Sequence, residues 1–298
     1  MKIFVTGGTG FVGRKIVHQL LATGHEVRCL VRPGSESKLP ASDGLEICPG
    51  DATKPPSLEG LLQGCNGVIH LIGIIREFPR KGVTFEKLNC ETAQNLVRAA
   101  ENQGVKRFIH MSANGCTKTS SGGYFRTKFR AEKTVADSSL NWTVFRPSVI
   151  FGREDAFTNL LGEIIRKSPL IPVIGNGQYR LAPVAVEDVA ACFVAALRHE
   201  ETMGKIYPLC GPNEVTYNHL LDIIAAALNR KPPAKMHVPA PLIKPFISLL
   251  DGFSQFPITR EQMEMLLAEN ICRDQKWPEV FHIRPKAFAA ENLHHLNS

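Results

Sequence analysis

The stretch Thr6-Gly7-Gly8-Thr9-Gly10-Phe11-Val12-Gly13 constrains the fold more than any other part of this 298-residue chain. It follows a short β-branched and aromatic run at residues 2–5 and leads at once into a helical pattern through Ala22, with Val12, Ile16, Val17, Leu20 and Leu21 on one face. The spacing reads as G-x-x-G-x-x-G at Gly7, Gly10 and Gly13, and equally as G-x-G-x-x-G at Gly8, Gly10 and Gly13. Between a strand and a helix each glycine has its own reason. The first permits a tight turn, and the second lets backbone approach a pyrophosphate. The third lets the helix pack on the strand while its free N–H groups face the anion.

Further strands follow at regular intervals. Gly24 suits the end of the first helix, and residues 26–32 form a second strand ending at Val31 and Arg32. An NAD-preferring fold places a carboxylate at that point for the ribose 2′-hydroxyl. This chain offers Arg32, with Arg14 just past the glycine turn, so NADP is expected, with NAD as the other candidate. Residues 45–51 make a third strand whose Asp51 either reaches the adenine or caps a turn. Residues 67–73 are nearly all apolar, as a strand buried on both faces requires, and His70 within them reads as a satisfied core histidine. A helix is expected over 84–103 and a fifth strand over 107–112, ending at Ser112. This alternation predicts an α/β chain with a doubly wound parallel Rossmann-type sheet, ligands sitting beyond the strands' carboxyl ends.

Twelve residues past Ser112, Tyr124 and Lys128 stand one turn apart on a helix. A phenol beside an ammonium is a usable acid–base pair, because the positive charge favours the phenolate and brings the phenol's titration toward working pH.

In this order, the glycine turn, Asp51, the helix Asn89-Cys90-Glu91-Thr92-Ala93-Gln94-Asn95-Leu96, Ser112, Tyr124 with Lys128, and Arg146-Pro147-Ser148-Val149-Ile150-Phe151-Gly152 resemble the short-chain dehydrogenase/reductase superfamily over about half the chain. The resemblance implies that Tyr124 exchanges the proton, that Lys128 binds the nicotinamide ribose and tunes Tyr124, and that Ser112 polarises the substrate oxygen. It implies a cofactor shell of Gly7, Thr9, Gly10, Phe11, Val12, Gly13, Arg32, Asp51, Ala52, Leu71, Ile72, Gly73, Asn89, Met111, Lys128, Pro147 and Val149, with residues 147–150 beside the nicotinamide and no metal. Pro-Val-Ile-Gly-Asn-Gly at 172–177 and Val-Ala-Val-Glu-Asp-Val-Ala at 184–190 resemble the extended and atypical, epimerase/dehydratase-like branch. Within that branch the chain is most similar to the NAD(P)-binding accessory subunits of respiratory complex I, which bind nucleotide without known turnover. Many superfamily members carry their catalytic Ser or Thr where this chain has Ala113, which leaves open whether the assisting hydroxyl is Ser112, Thr117 or absent. Sugar-nucleotide epimerases usually show an acidic second-strand end and a longer chain; this chain shows neither.

The function implied is an NADP(H)-dependent oxidoreductase moving a hydride to or from a carbonyl or alcohol carbon. The alternatives are a catalytically silent NADP(H)-binding scaffold or sensor and, third, a nucleotide-sugar epimerase or dehydratase. The expected organisation is a dinucleotide-binding domain over 1–152, with a returning segment near 182–210, and a smaller substrate lobe over 153–181 and 211–298. In the second half, a strand is expected over 141–152, helices over 155–167, 187–198, 216–228 and 260–270, and a loop or short hairpin over 169–181. The apolar segment 238–250 is expected either to pack as a core helix after Pro245 or to touch a membrane or partner.

A net charge of +7 comes from scattered Lys and Arg without runs, so a nucleic-acid partner is not expected. The eight cysteines show no C-x-x-C pair and read as reduced, buried thiols. With a first strand starting at residue 2 and no apolar run near the ~18 residues of a membrane span, a cytoplasmic chain is expected. The partner expected is an unidentified small-molecule substrate, for a chain that is a monomer or homodimer, with peripheral membrane or protein-complex contact left open.

Overall fold

The computed structural model describes residues 1–120, 122–243 and 259–297, and the chain divides into two compact units. The first comprises Met1–Pro147, Glu187–Pro208 and Gln275–Ile283; the second comprises Ser148–Val186, Leu209–Asp274 and Arg284–Ser298.

The sheet of the first unit contains β1 (Lys2–Thr6), β2 (Glu26–Val31), β3 (Leu45–Pro49), β4 (Gly67–His70), β5 (Arg107–Met111), β6 (Asn141–Pro147) and β7 (Lys205–Leu209). Their order is β7-β6-β5-β4-β1-β2-β3, and β1 to β6 all pair in parallel. The chain winds outward from β1 to β3, returns to β4 and winds outward the other way. The reversal between β1 and β4 opens a crevice at the carboxyl ends of the strands. Ile3, Phe4, Val5, Val68 and Ile69 are fully buried, which is why these strands are nearly continuous apolar runs. The helices α1 (Phe11–Ala22), α2 (Thr92–Asn102) and α3 (Gly123–Ala136) belong to the same unit. α1 ends as its glycine predicts: Gly24 is left-handed at φ 76°, and His25 N–H reaches back to the Leu20 carbonyl.

The expected helix over 84–103 is two pieces. Glu86–Glu91 is wound as a π-helical stretch, and regular α-helix begins only at Thr92. The expected strand over 141–152 stops at Pro147, which has no N–H to continue the ladder; Ile150–Phe151 pairs instead with Val184–Ala185.

In the second unit, Phe151, Leu161, Ile165, Leu181, Leu220, Leu221, Ile224, Phe288 and Leu296 lie in one apolar core. The loop or hairpin expected over 169–181 is two strands with distant partners. Leu170–Ile174 pairs in parallel with Ala234–Val238, and Arg180–Leu181 pairs antiparallel with Val215–Thr216. A helix spans Arg260–Leu267, shorter than expected, and opens on a capping box between Thr259 and Gln262. Of the apolar segment 238–250, residues 244–250 lie outside the described residues.

The reduced reading of all eight cysteines is corrected. Six are buried free thiols, but Cys210 and Cys272 form a disulfide with a Cα–Cα distance of 6.0 Å. Ala182 brings the two segments together: its N–H donates to the Asn270 carbonyl and its carbonyl accepts from Gly211 N–H, both at 3.0 Å. No spacing rule in the sequence marks such a pair.

Candidate active site

The glycine turn closes through a 3.0 Å hydrogen bond from Gly10 N–H to the Gly7 carbonyl. Gly7 is left-handed at φ 77°, so a side chain there would be strained. A Cβ on Gly13 would stand 2.1 Å from the Gly7 oxygen and 2.7 Å from Gly8 Cα, so the turn and α1 touch backbone to backbone at this point. Gly8 is also tight, because its Cβ would meet Cys29 Sγ at 2.5 Å and Val17 Cγ2 at 3.2 Å. Gly10 is open, with only the Gly7 oxygen nearby at 3.3 Å. It also begins α1 with no side-chain cap and no acidic residue in the first turn. The orphan N–H groups of Phe11, Val12 and Gly13 are therefore available to an anion. Thr9 is held from the other side, its carbonyl accepting from Arg14 Nη1 at 2.7 Å.

At the far end of the crevice, Val31 registers against Pro49, so exposed Arg32 and the Gly50–Asp51 corner are neighbours. Of the two roles open to Asp51, the turn cap is present: its Oδ1 accepts from both Thr53 N–H and Thr53 Oγ1 at 2.9 Å. Burial pushes the Asp51 carboxyl up, but these two hydrogen bonds and the charges of Lys54 and Arg32 outweigh it and hold it below its ordinary value. Ala52 beside it is buried.

The carboxyl ends of β4 and β5 carry a second cluster. After Leu71 and Ile72, Gly73 lies where a Cβ would be 3.4 Å from both Asn89 Oδ1 and Lys128 Nζ. Asn89, in the π-helical stretch, accepts from Ile74 N–H at 2.8 Å and donates to the Ile74 carbonyl at 3.3 Å and Thr127 Oγ1 at 3.4 Å. Lys128 is 3 % exposed, and its ammonium donates to the Met111 carbonyl at 2.5 Å. Burial pushes its pKa down to about 8, against the opposing pull of Cys116 and Glu132. Glu132 is itself engaged by Arg146, at 2.8 Å through Nε and in a second contact through Nη2. Tyr124 sits in the first turn of α3, half-buried, its ring edge-on to Phe85 at 5.9 Å and to Phe125 at 5.2 Å.

Of the two candidate hydroxyls, Thr117 is exposed and bonded to Ser120 at 2.9 Å. Ser112 is 3 % exposed and its Oγ has no hydrogen bond of ordinary geometry; the nearby Cys116 thiol is pushed up to about 11 by burial. Ala113 is buried. Pro147 closes the first unit with its carbonyl accepting from Asn114 N–H, whereas Val149 belongs to the second unit, partly buried against that unit's core.

His70 is the satisfied core histidine expected, its Nδ1 2.7 Å from Thr6 Oγ1, and burial lowers its pKa to about 3. Sequence reasoning missed His110, stacked on His70 at 5.3 Å and fully buried without a hydrogen bond to either ring nitrogen. Among the described residues no group of three His, Cys, Asp or Glu could hold a metal, and no helix is long and apolar enough to cross a membrane. In the second unit, an open cavity of about 730 Å³ is lined by Gly175, Asn176, Gln178, Asn218, His237 and Pro239.

A parallel sheet reversing between β1 and β4, with an uncapped glycine turn and a left-handed Gly7 at that reversal, defines a Rossmann-type nucleotide-binding protein. The chain belongs to the NAD(P)H-binding family, whose model matches residues 7–200. It is 34% identical over 248 residues to the NADH dehydrogenase [ubiquinone] 1 alpha subcomplex subunit 9, mitochondrial, of Arabidopsis thaliana. That match covers 80% of this chain and 61% of the relative's length. It is 32% identical to the ceramide reductase of Caulobacter vibrioides, over 66% of this chain and 61% of that protein. The crystal structure of dTDP-glucose 4,6-dehydratase from Streptomyces venezuelae with NAD bound has the same fold, at TM-score 0.74 and 20% identity, over 99% of this chain and 95% of that one.

These relatives correct two expectations. The cytoplasmic assignment is overturned, because the Arabidopsis thaliana relative is mitochondrial by name. The expectation of a chain standing alone as a monomer or homodimer, with protein-complex contact merely left open, is overturned by the same relative, which is named as a subunit of a larger assembly.

Proposed function

We propose that this chain is an NADP(H)-dependent oxidoreductase of the short-chain type acting on a carbonyl or alcohol carbon. The observation that carries the reading is the buried Lys128 ammonium, fixed on the Met111 carbonyl beside Gly73 and one turn after Tyr124. The cofactor, when bound, supplies or accepts the hydride. Gly7, Thr9, Gly10, Phe11, Val12 and Gly13 would hold its pyrophosphate, Arg32 and Asp51 its adenosine end, and Leu71 to Gly73, Asn89, Met111, Lys128 and Pro147 its nicotinamide half. Tyr124 gives its phenolic proton to the substrate oxygen during reduction, Lys128 stabilises the phenolate left behind, and the Ser112 hydroxyl polarises that oxygen. The second unit serves as the substrate lobe. A reductase named among the relatives supports this reading. The test is a screen of carbonyl substrates with NADPH: no turnover on any of them, with NADPH still bound, would overturn it.

Two observations favour a second reading, an assembly subunit that binds NADP(H) without turnover. The Arabidopsis thaliana relative is named as a complex subunit, and Ala113 stands where many superfamily members carry a hydroxyl.

Exposed Arg32, with no carboxylate at the end of β2, leads us to expect NADPH to bind tighter than NADH. One charge-assisted phosphate contact contributes ~1.5–3 kcal/mol, so Arg32→Ala should remove a preference of roughly ten-fold to a hundred-fold. Fluorescence titration with both cofactors checks it; an unchanged NADPH affinity would reject the assignment.

The depressed Lys128 pKa sets a pH window of opposite sign for binding and for stability. NADPH affinity should fall as pH rises through about 8, because the ammonium that holds the ribose becomes neutral. Lys128 itself should add stability over the interval from about 8 to the ordinary 10.5, where the unfolded chain still binds the proton and the folded chain does not, while the buried thiols pushed up by burial act in the opposite direction. Titrations and melting curves across this interval should therefore show the binding trend in the parent alone, and a stability difference between parent and Lys128→Met that shifts in the parent's favour as pH rises.

A further inference from the structure

The two-stranded sheet of Leu170–Ile174 and Ala234–Val238 has one face that the second unit's core does not use. In its parallel register Leu170 stands beside Ala234, Pro172 beside Met236 and Ile174 beside Val238. Side chains alternate along a strand, so these six share a face, opposite to Ile171 and Val173 in the core. The orientation is held from within: Lys235 pairs with Asp222 at 2.5 Å, and His237 Nε2 lies 3.2 Å from Asn218 Oδ1. The outward face is therefore wholly apolar, with Leu170 46% and Met236 49% exposed and Ile174 and Val238 half-buried at its far end. Leu242, four residues past the second strand, is 63% exposed. Single exposed apolar residues need no explanation, but a contiguous, uncharged sheet face does.

We propose that this face docks onto an anionic lipid surface. Charge and composition decide between a membrane and a protein partner. Lys167 and Lys231 stand three residues before the first residue of each strand, and Ala234 N–H donating to the Pro169 carbonyl holds the two approaches side by side. Lys167 is 77% exposed and pairs with Glu163 at 3.4 Å, whereas exposed Lys231 has no carboxylate partner among the described residues. Aliphatic residues and Met behind a rim of Lys suit headgroups and acyl chains. Protein interfaces are instead enriched in aromatic residues and Arg and depleted in Lys, and the six-residue face contains no aromatic. The inference does not depend on turnover.

The test is co-sedimentation of the full chain with vesicles of phosphatidylcholine alone and of an equal mixture with phosphatidylglycerol. The mixed vesicles should retain the protein, less so as salt rises. Met236→Glu should lower the partition about ten-fold or more, and Lys231→Ala roughly five-fold. Leu170→Gln gives an independent reading of the same face, and circular dichroism with a thermal melt of each variant verifies its fold. Absence of binding to the mixed vesicles, or unchanged binding by both apolar-face variants, would overturn the proposal. So would self-association of the parent that Met236→Glu abolishes while vesicle binding stays unchanged, since the face would then be covered by protein.

Discussion

Tyr124→Phe is expected to lower kcat for carbonyl reduction by about 10²–10⁴-fold while NADPH binds with nearly the parent affinity. The substitution removes one oxygen and leaves the ring, so the packing against Phe85 and Phe125 persists. What is lost is the one group on the first turn of α3 that can give a proton to a developing alkoxide. The loss therefore falls on kcat rather than on KM. Lys128→Ala should differ in kind. It empties a buried position, frees the Met111 carbonyl and removes the charge that stabilises the phenolate, so both cofactor affinity and turnover should fall. Full activity in Tyr124→Phe would overturn the proposed mechanism.

Gly10→Val and Gly13→Val are both expected to abolish NADPH binding, with affinity reduced about a hundred-fold or more, but by different routes. At Gly10 the added carbon meets little protein, so the chain should fold normally while the side chain occupies the space a phosphate needs. At Gly13 the added carbon meets Gly7 and Gly8 backbone, which no rotamer can relieve. The turn and α1 must separate, and thermal stability should fall together with binding. Circular dichroism and NADPH titration of the pair separate the two effects. Normal binding in Gly10→Val would mean that the turn is not a phosphate cradle.

The glycine turn, the parallel strands and the helical relation of Tyr124 to Lys128 were legible because each depends on residues close in sequence. Periodicity also placed most helices of the second half. Features built by distant segments were not legible. The pairing of Leu170–Ile174 with Ala234–Val238 and the Cys210–Cys272 disulfide each join positions about sixty residues apart, where no local pattern distinguishes a strand from a loop or a paired thiol from a free one. The π-helical stretch at Glu86–Glu91 escaped for a related reason. Its extra residue per turn is stabilised by Asn89 bridging to Ile74, a contact that the apolar spacing of a helix does not encode. Compartment and assembly were misread because neither is written in the fold.

The contact between Gly8 and Cys29 restricts which sequences can inherit this turn. A methyl at position 8 would enter the sulfur at 2.5 Å, and Cys29 has no room to retreat because it is fully buried on β2. Val17 Cγ2 stands on the same spot at 3.2 Å, so positions 8, 17 and 29 must drift together. Gly8→Ala should be tolerated where position 29 is shortened, as in Cys29→Ala, and Val17 can shift by a few tenths of an ångström, and selected against where position 29 keeps its sulfur. A mutational library read at one position alone would make this glycine look absolutely required, when the requirement belongs to the group.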